Sequence, residues 1–189
     1  MYLFFDTETT GLPKNWKAPV NHLNNWPRLV QLAYSLFDDQ GNMLSSADFI
    51  IKPDGFSIPS KSSDVHGITT ERALKEGVAL VPVLKNFHQL IIKSNYLVAH
   101  NISFDEKVMG SELLRAGMIN SLDSKPKICT MQSATDFCAI SGPYGFKWPK
   151  LEELHQILFN MDFEEAHNAS ADIAATAKCF WELKRIGII

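Results

Sequence analysis

The chain has 189 residues, 46% of them hydrophobic, enough to bury the core of one domain. Its formal net charge of −3 argues against a protein that coats long nucleic acid, yet leaves room for gripping a few terminal nucleotides. Cys129, Cys138 and Cys179 are odd in number and lack CxxC spacing, so neither a disulfide framework nor a structural zinc site is expected. No apolar run approaches the roughly 20 residues of a membrane-spanning helix. Met1 leads straight into a strand-like segment with no secretory pattern. The expectation is a cytoplasmic chain with no membrane partner.

In chain order, residues 2 to 6 read as a short buried strand that runs into Asp6, with Glu8 two positions on. Residues 13 to 28 hold prolines, asparagines, Trp16 and Trp26, and read as a loop. Val30, Leu32, Tyr34 and Leu36 alternate with Gln31, Ala33 and Ser35, the period of a strand. "DDQGN" (38 to 42) is a turn signal, and residues 43 to 51 read as the return strand of a hairpin. Leu80, Val83, Leu84, Phe87, Leu90 and Ile91 follow helical spacing, with Pro82 in the first turn, where proline is tolerated. Residues 95 to 100 predict a strand, 103 to 116 a helix stopped by Gly117, and about 128 to 138 another helix. "GPYGFKWP" (142 to 149) breaks the pattern. Leu151, Leu154, Ile157 and Leu158 make a second amphipathic stripe, and a last helix is expected from about Ser170 to Lys184. The order predicts an α/β fold: a mixed sheet, antiparallel hairpin plus parallel strands, with helices packed on it.

The acidic residues fall in three places. On a strand, Asp6 and Glu8 point to one face and Phe5 and Thr7 to the other. Two adjacent carboxylates repel unless a cation lies between them or one stays protonated, although a solvated strand end is the plainer reading of the pair alone. "HNISFD" (100 to 105) opens a helix and puts Asp105 in its first turn, a position that also suits a mere helix-start residue. "HNASAD" (167 to 172) puts Asp172 in the first turn of the last helix if Asn168 or Ser170 caps it, and leaves His167 in the preceding loop. Together these supply Asp6, Glu8, Asp105, Asp172 and one mobile histidine. Oxygen donors without cysteine suit Mg²⁺ or Mn²⁺. Two such ions, about 3.5–4 Å apart, can clamp the attacking and leaving oxygens of a phosphoryl displacement. A histidine of ordinary pKa suits taking the proton of the attacking water.

With these clusters in view, the sequence resembles the DnaQ-like 3′→5′ exonucleases, the histidine-containing branch of the DEDD superfamily. "FFDTETTGL", "AHNISFD" and "AHNASADIAAT" resemble the family's three motifs in order, the last with His-x4-Asp spacing. "VHGIT" (65 to 69) and "WPRLVQLAY" (26 to 34) resemble further landmarks, so the resemblance spans nearly the whole chain. It implies an RNase H-like fold over residues 1–189 as one exonuclease domain. It also implies two-metal hydrolysis from a free 3′ end, with Asp6, Glu8, Asp105 and Asp172 as metal ligands and His167 as general base. Thr9, Thr10, Gly11 and Leu12 would meet the terminal nucleotide. His66, Asn101 and Phe104 are further substrate-contact candidates, each with a packing or turn-forming alternative. The expected partner is a nucleic acid 3′ end, DNA before RNA. A polymerase partner or a homodimer occurs among relatives of this kind, although no extra polymerase-binding segment is expected after residue 189.

The chain departs from the family pattern in two places. The stretch between "TTGL" and "WPRL" is long, and its Trp16 and Trp26 either stack on bases or, the favoured reading, cover the core. The segment 142 to 151 supplies Tyr144, Phe146, Lys147, Trp148 and Lys150, which either touch a strand backbone or pack as a helix lead-in. Two rival readings remain. Haloacid-dehalogenase-like phosphatases also place two acids two apart after a first strand, but leave "HNISFD" and "HNASAD" unexplained. A nuclease-shaped binding module without chemistry would be expected to lack a ligand or the histidine.

Overall fold

Strand β1 (Tyr2–Thr9) runs three residues beyond the segment expected from sequence, because Thr7, Glu8 and Thr9 still find partners on the neighbouring strand, β2 (Leu29–Phe37). These features come from a computed structural model that describes residues 1–161 and 169–189. β2 turns through residues 38–42 into β3 (Met43–Ile50), the expected hairpin. On its other side β1 pairs in parallel with β4 (Tyr96–Ala99), and β4 pairs in parallel with β5 (Lys127–Cys129). The sheet order among the described residues is therefore β3-β2-β1-β4-β5, antiparallel on one side of β1 and parallel on the other.

Alternation along β1 sends its side chains into two cores. Leu3 and Phe5 pack with α3 (Leu80–Lys93) and α4 (Ile102–Arg115), which contribute Leu84, Phe87, Val108 and Met109. Phe4 faces the opposite layer, where α8 (Ala169–Arg185) buries Ile173, Ala177 and Phe180. α7 (Leu151–Phe159) packs on α8 through Leu154, beside Cys179 and Leu183. Asp6 and Glu8 thus lie on the α8 side and Thr7 on the α4 side, as the alternation requires. All three cysteines are free thiols, and no helix of the described residues is long and apolar enough to cross a membrane.

Two local expectations, the helix over 128–138 and the inward-facing Ile157, need correction, and other elements carried no expectation. Residues 127–129 form the fifth strand rather than the start of a helix, since they pair with Leu97, Val98 and Ala99. The remainder splits at Ala134 into α5 (Thr130–Ser133) and α6 (Thr135–Cys138), where the Thr135 hydroxyl donates to the Met131 carbonyl four residues back. Two short helices, α1 (Ser60–His66) and α2 (Thr70–Glu76), fill a region with no clear apolar period. Residues 141–146 form a hairpin, β6 (Ser141–Gly142) and β7 (Gly145–Phe146), turned by Pro143 and Tyr144. Ile157 faces outward rather than into the stripe of α7, at 43% exposure.

The loop at 13–28 is tied down by α4. Arg115 donates to the carbonyls of Leu23, Trp26 and Pro27. Glu112, fully buried, accepts from Arg28 Nε at 2.8 Å and from the Leu29 amide at 3.0 Å, and pairs with Arg115. Trp26 is buried with its indole N–H on the Pro19 carbonyl, the expected core role. Trp16 is not in the core: it is half exposed, its ring 5.7 Å from that of Phe104.

Truncating Glu112 would leave the buried Leu29 amide without its acceptor and remove the carboxylate that faces the Arg28 and Arg115 guanidiniums. Glu112→Ala is expected to lower the unfolding free energy by about 3–5 kcal/mol in a urea titration. A loss below about 1 kcal/mol, the range of exposed pairs, would show that the clamp is not a buried network.

Candidate active site

The parallel ladder between β1 and β4 ends at Phe4 and Val98, while β1 continues to Thr9. Past that point one edge of β1 is open. α4 begins just after β4, and its first turn puts Asp105 into the opening. Asp105 Oδ1 accepts from the Thr7 amide at 3.0 Å and from Thr7 Oγ1 at 2.7 Å. The entry to α4 needs a tight turn, made by Asn101 in the left-handed region (φ 67°), where asparagine is among the residues best tolerated.

On the other face of β1, Asp6 and Glu8 meet Asp172, which lies in the first turn of α8. One carboxylate oxygen from each falls within 4.8 Å of the others. Oxygens about 2.1 Å from one Mg²⁺ lie about 3 Å apart when adjacent and about 4.2 Å when opposite, so small side-chain adjustments close this set onto a cation. The all-oxygen donor set fits a hard divalent cation rather than zinc held by thiolates.

The electrostatics agree. Burial, followed by Asp105, Asp172 and Glu8, pushes the Asp6 carboxyl well above the usual range. Burial and then Asp172 and Asp105 push Glu8 up to about 8. Asp105 rises to about 7, chiefly through burial, against the opposing hydrogen bonds from Thr7. No lysine or arginine among the described residues offsets these shifts. Carboxyls raised together in this way favour either a shared proton or a cation between them.

A cavity of about 540 Å³ opens beside the acids, with Asp6, Asp172, Asn101, His100, Trp148 and Lys150 in its wall. His100 bridges Thr130 Oγ1 and the Pro149 carbonyl, each at 3.0 Å. A carbonyl only accepts, so Nε2 carries the proton and Nδ1 accepts from the threonine. Burial lowers the His100 pKa to about 4, which keeps the ring neutral. It fixes the wall of the cavity rather than moving protons.

The other expected contacts gather at the far end of β1. Thr9 Oγ1 donates to the Gly11 carbonyl at 2.7 Å, and Thr10 exchanges hydrogen bonds with the Arg28 backbone. Gly11 has φ 139°, a conformation suited to glycine, and Leu12 stands 72% exposed beyond it. α1 lies alongside, with Ser62 next to Gly11, and the His66 ring faces the Thr9 backbone. His66 Nδ1 accepts from the Ile68 amide at 3.1 Å, which also gives the ring a local turn-forming role. Phe104 packs partly on the α3–α4 core and against Trp16. His167 and Asn168 lie outside the described residues. Ser170 is not the helix cap: it sits within α8, and its hydroxyl donates to Asp48 Oδ2 at 2.6 Å. Thr7, His100 and Asp48 are site residues that sequence reasoning does not single out, whereas Trp148, one of the aromatics of 142–151 with two open readings, lies in the cavity wall. The "DTE" and "AHN" spacings carried a signal for Thr7 and His100, whereas Asp48 offered none.

Comparison with known proteins fits this geometry. The RNase_T family model, whose description is "Exonuclease", matches residues 3–180, and the chain belongs to this family. The PolC-type DNA polymerase III of Streptococcus suis is 32% identical over 177 residues, 94% of this chain and 11% of that protein. The DNA polymerase III subunit epsilon-like protein of Rhodobacter capsulatus is 29% identical over 184 residues, 96% of this chain and 23% of that protein. The chain thus spans a small part of these relatives' length. Among solved structures, E. coli exonuclease I in complex with a dA16 oligonucleotide superposes with a TM-score of 0.75 at 20% identity, covering 97% of this chain and 40% of that one. The zinc-bound exonuclease I–single-stranded DNA complex gives 0.77 at 22% identity, covering 98% and 41%. The fold is the RNase H-like fold of exonuclease I.

The raised carboxyls predict a pH dependence. A folded-state pKa above the unfolded value means the native protein binds the proton more tightly. For Glu8, stability of cation-free protein therefore falls as pH rises from its ordinary value of 4.5 towards 8. The melting temperature in EDTA should drop across that window, and Mn²⁺ should raise it more at the alkaline end. A melting temperature indifferent to both pH and cation would remove the cluster as a cation site.

Proposed function

We propose that residues 1–189 act as one divalent-cation-dependent 3′→5′ exonuclease domain, releasing nucleoside monophosphates from single-stranded or frayed DNA 3′ ends. The observation that carries this reading is the meeting of Asp6, Glu8 and Asp172 oxygens within 4.8 Å, with Asp105 locked to the same strand. These four carboxylates would hold two Mg²⁺ or Mn²⁺ ions. When bound, such cations lower the pKa of an attacking water and stabilise charge on the phosphate.

His167 would take the proton from that water. The water oxygen then bonds to phosphorus, and the bond from phosphorus to the 3′ oxygen of the penultimate nucleotide breaks. The leaving 3′ oxygen would take a proton from solvent, giving a 5′-monophosphate and a strand shortened by one residue with a 3′ hydroxyl. The backbone of Thr9, Thr10 and Gly11 would meet the terminal nucleotide, with Leu12 as an apolar wedge. His66, Asn101 and Phe104 would line its far side, and Asn101 already lies in the cavity wall.

DNA is favoured over RNA because the relatives are named as DNA polymerases and the exonuclease I structures hold DNA oligonucleotides. A polymerase is the protein partner consistent with those relatives. A 5′-labelled strand incubated with Mg²⁺, Mn²⁺ or EDTA tests the reading. A cation-dependent ladder shortening from the 3′ end is expected, faster on DNA than on RNA of the same sequence. Asp6→Asn should lower the rate by about 10³-fold or more, the scale of losing a group that acts with the cations. Wild-type turnover in that variant would overturn the ligand assignment.

A further inference from the structure

The β6–β7 hairpin leads directly into Trp148 in the wall of the acid cavity, and three aromatic rings of residues 144–148 are uncovered. Tyr144, in the turn, is fully exposed, Phe146 is 54% exposed and Trp148 is 61% exposed. Large exposed aromatics grouped on one element mark a binding surface, because leaving them in water is unfavourable. The hairpin itself is well anchored. The Lys147 amide donates to the Ile140 carbonyl, extending the pairing beyond Ser141 and Phe146. Lys147 Nζ pairs with Glu153 of α7, and the same carboxylate accepts from the Lys150 amide at 2.8 Å. Gly145, at φ 121°, closes the turn. The rings therefore stand on a fixed support.

Side chains alternate along an extended segment. Lys147 is tied to α7, and the exposed Phe146 and Trp148 flank it in the sequence. Trp148 belongs to the wall that also contains Asp6 and Asp172. Trp148 thus joins the exposed rings of the hairpin, through two residues of chain from Phe146, to the cavity of the acid cluster. Residues two apart in an extended chain advance about 6.6 Å. That is about twice the 3.4 Å rise per nucleotide, so ring spacing along such a segment is of the scale that admits a base. Stacking of this kind needs an open base face, which a single strand offers and a duplex does not.

We propose that Trp148, Phe146 and Tyr144 form a base-stacking track for the single strand entering the cavity, holding the nucleotides upstream of the 3′-terminal one. The assignment of the terminal nucleotide to the acid cluster rests on the proposed function. The track itself rests on the exposed rings and their continuity with the cavity.

The test compares a long and a minimal substrate. The double variant Tyr144→Ala, Phe146→Ala is assayed with Mn²⁺ on single-stranded DNA of about ten nucleotides and on the p-nitrophenyl ester of thymidine 5′-monophosphate, which is too short to reach the rings. Binding of a fluorescent oligonucleotide is followed in Ca²⁺. The double variant should raise KM on the long strand at least about fivefold more than on the ester, the lower end of stacking energies per base. It should weaken oligonucleotide binding to match. Equal effects on both substrates, or none on either, would overturn the track. Should the wild type hydrolyse neither substrate yet bind the oligonucleotide through these rings, the exonuclease reading fails and the track stands.

Discussion

The site depends on one mismatch of length: β4 stops pairing with β1 at Phe4 and Val98, while β1 goes on to Thr9. An open strand edge inside a protein leaves backbone donors that must be satisfied. Here the donor is the Thr7 amide, and its acceptor is the Asp105 carboxylate, supported by the Thr7 hydroxyl. A side chain thus takes the place of a strand. It brings a third acid, from a helix in the other layer, to the strand that already carries Asp6 and Glu8. Pairing continued by two more residues would have filled the opening and excluded Asp105.

Holding these carboxylates together has an electrostatic cost, visible in the raised pKa values of Asp6, Glu8 and Asp105. The cost is tolerated because β1 is fixed from both sides. Leu3 and Phe5 are buried against α3 and α4, and Phe4 is buried against α8. Three residues of hydrophobic anchoring precede each acid on its own face or the opposite one, so repulsion cannot splay the strand. A cation neutralising the cluster would meet a preformed arrangement, with little reorganisation.

The parts of this site that sequence made legible are those set by local periodicity. Asp6 and Glu8 share a face because a strand alternates, and Asp105 and Asp172 lie in first helical turns because apolar spacing marks where α4 and α8 begin. Asp105 hydrogen bonding to Thr7 was beyond such reasoning, because it follows from where β4 ends, a tertiary fact. β5 was hidden for a related reason: "KIC" is three residues long, and its pairing with β4 decides its state rather than any period of its own. The β6–β7 hairpin read only as a break in helical pattern, since its Gly-Pro-Tyr-Gly turn leaves too few residues on either side to show alternation. Trp16 and Trp26 are chemically alike and ten residues apart, yet only Trp26 is buried; the Pro19 carbonyl and Lys107 that receive it come together only in the fold.

Asp172 poses the longest-range problem, because it reaches the cluster from an element 160 or more residues after β1 in a chain of 189. Its helix is aligned through the sheet. Gln31 sits opposite Glu8 in the β1–β2 register, and its amide donates to Asp48 Oδ1 at 2.7 Å. Asp48 Oδ2 accepts from Ser170, two residues before Asp172. β2 is therefore the common reference for both halves of the acid cluster: it sets the height of Glu8 by backbone pairing and that of α8 by the Gln31–Asp48–Ser170 relay. A relay of this kind orients the first turn of a helix through hydrogen bonds to both oxygens of one carboxylate. It also explains why an exposed strand at the sheet's edge carries an acid in a run of otherwise neutral residues. Among the described residues the edge strand β3 adds nothing to the buried core on the acids' side, yet it supplies the fixed point against which Asp172 is placed.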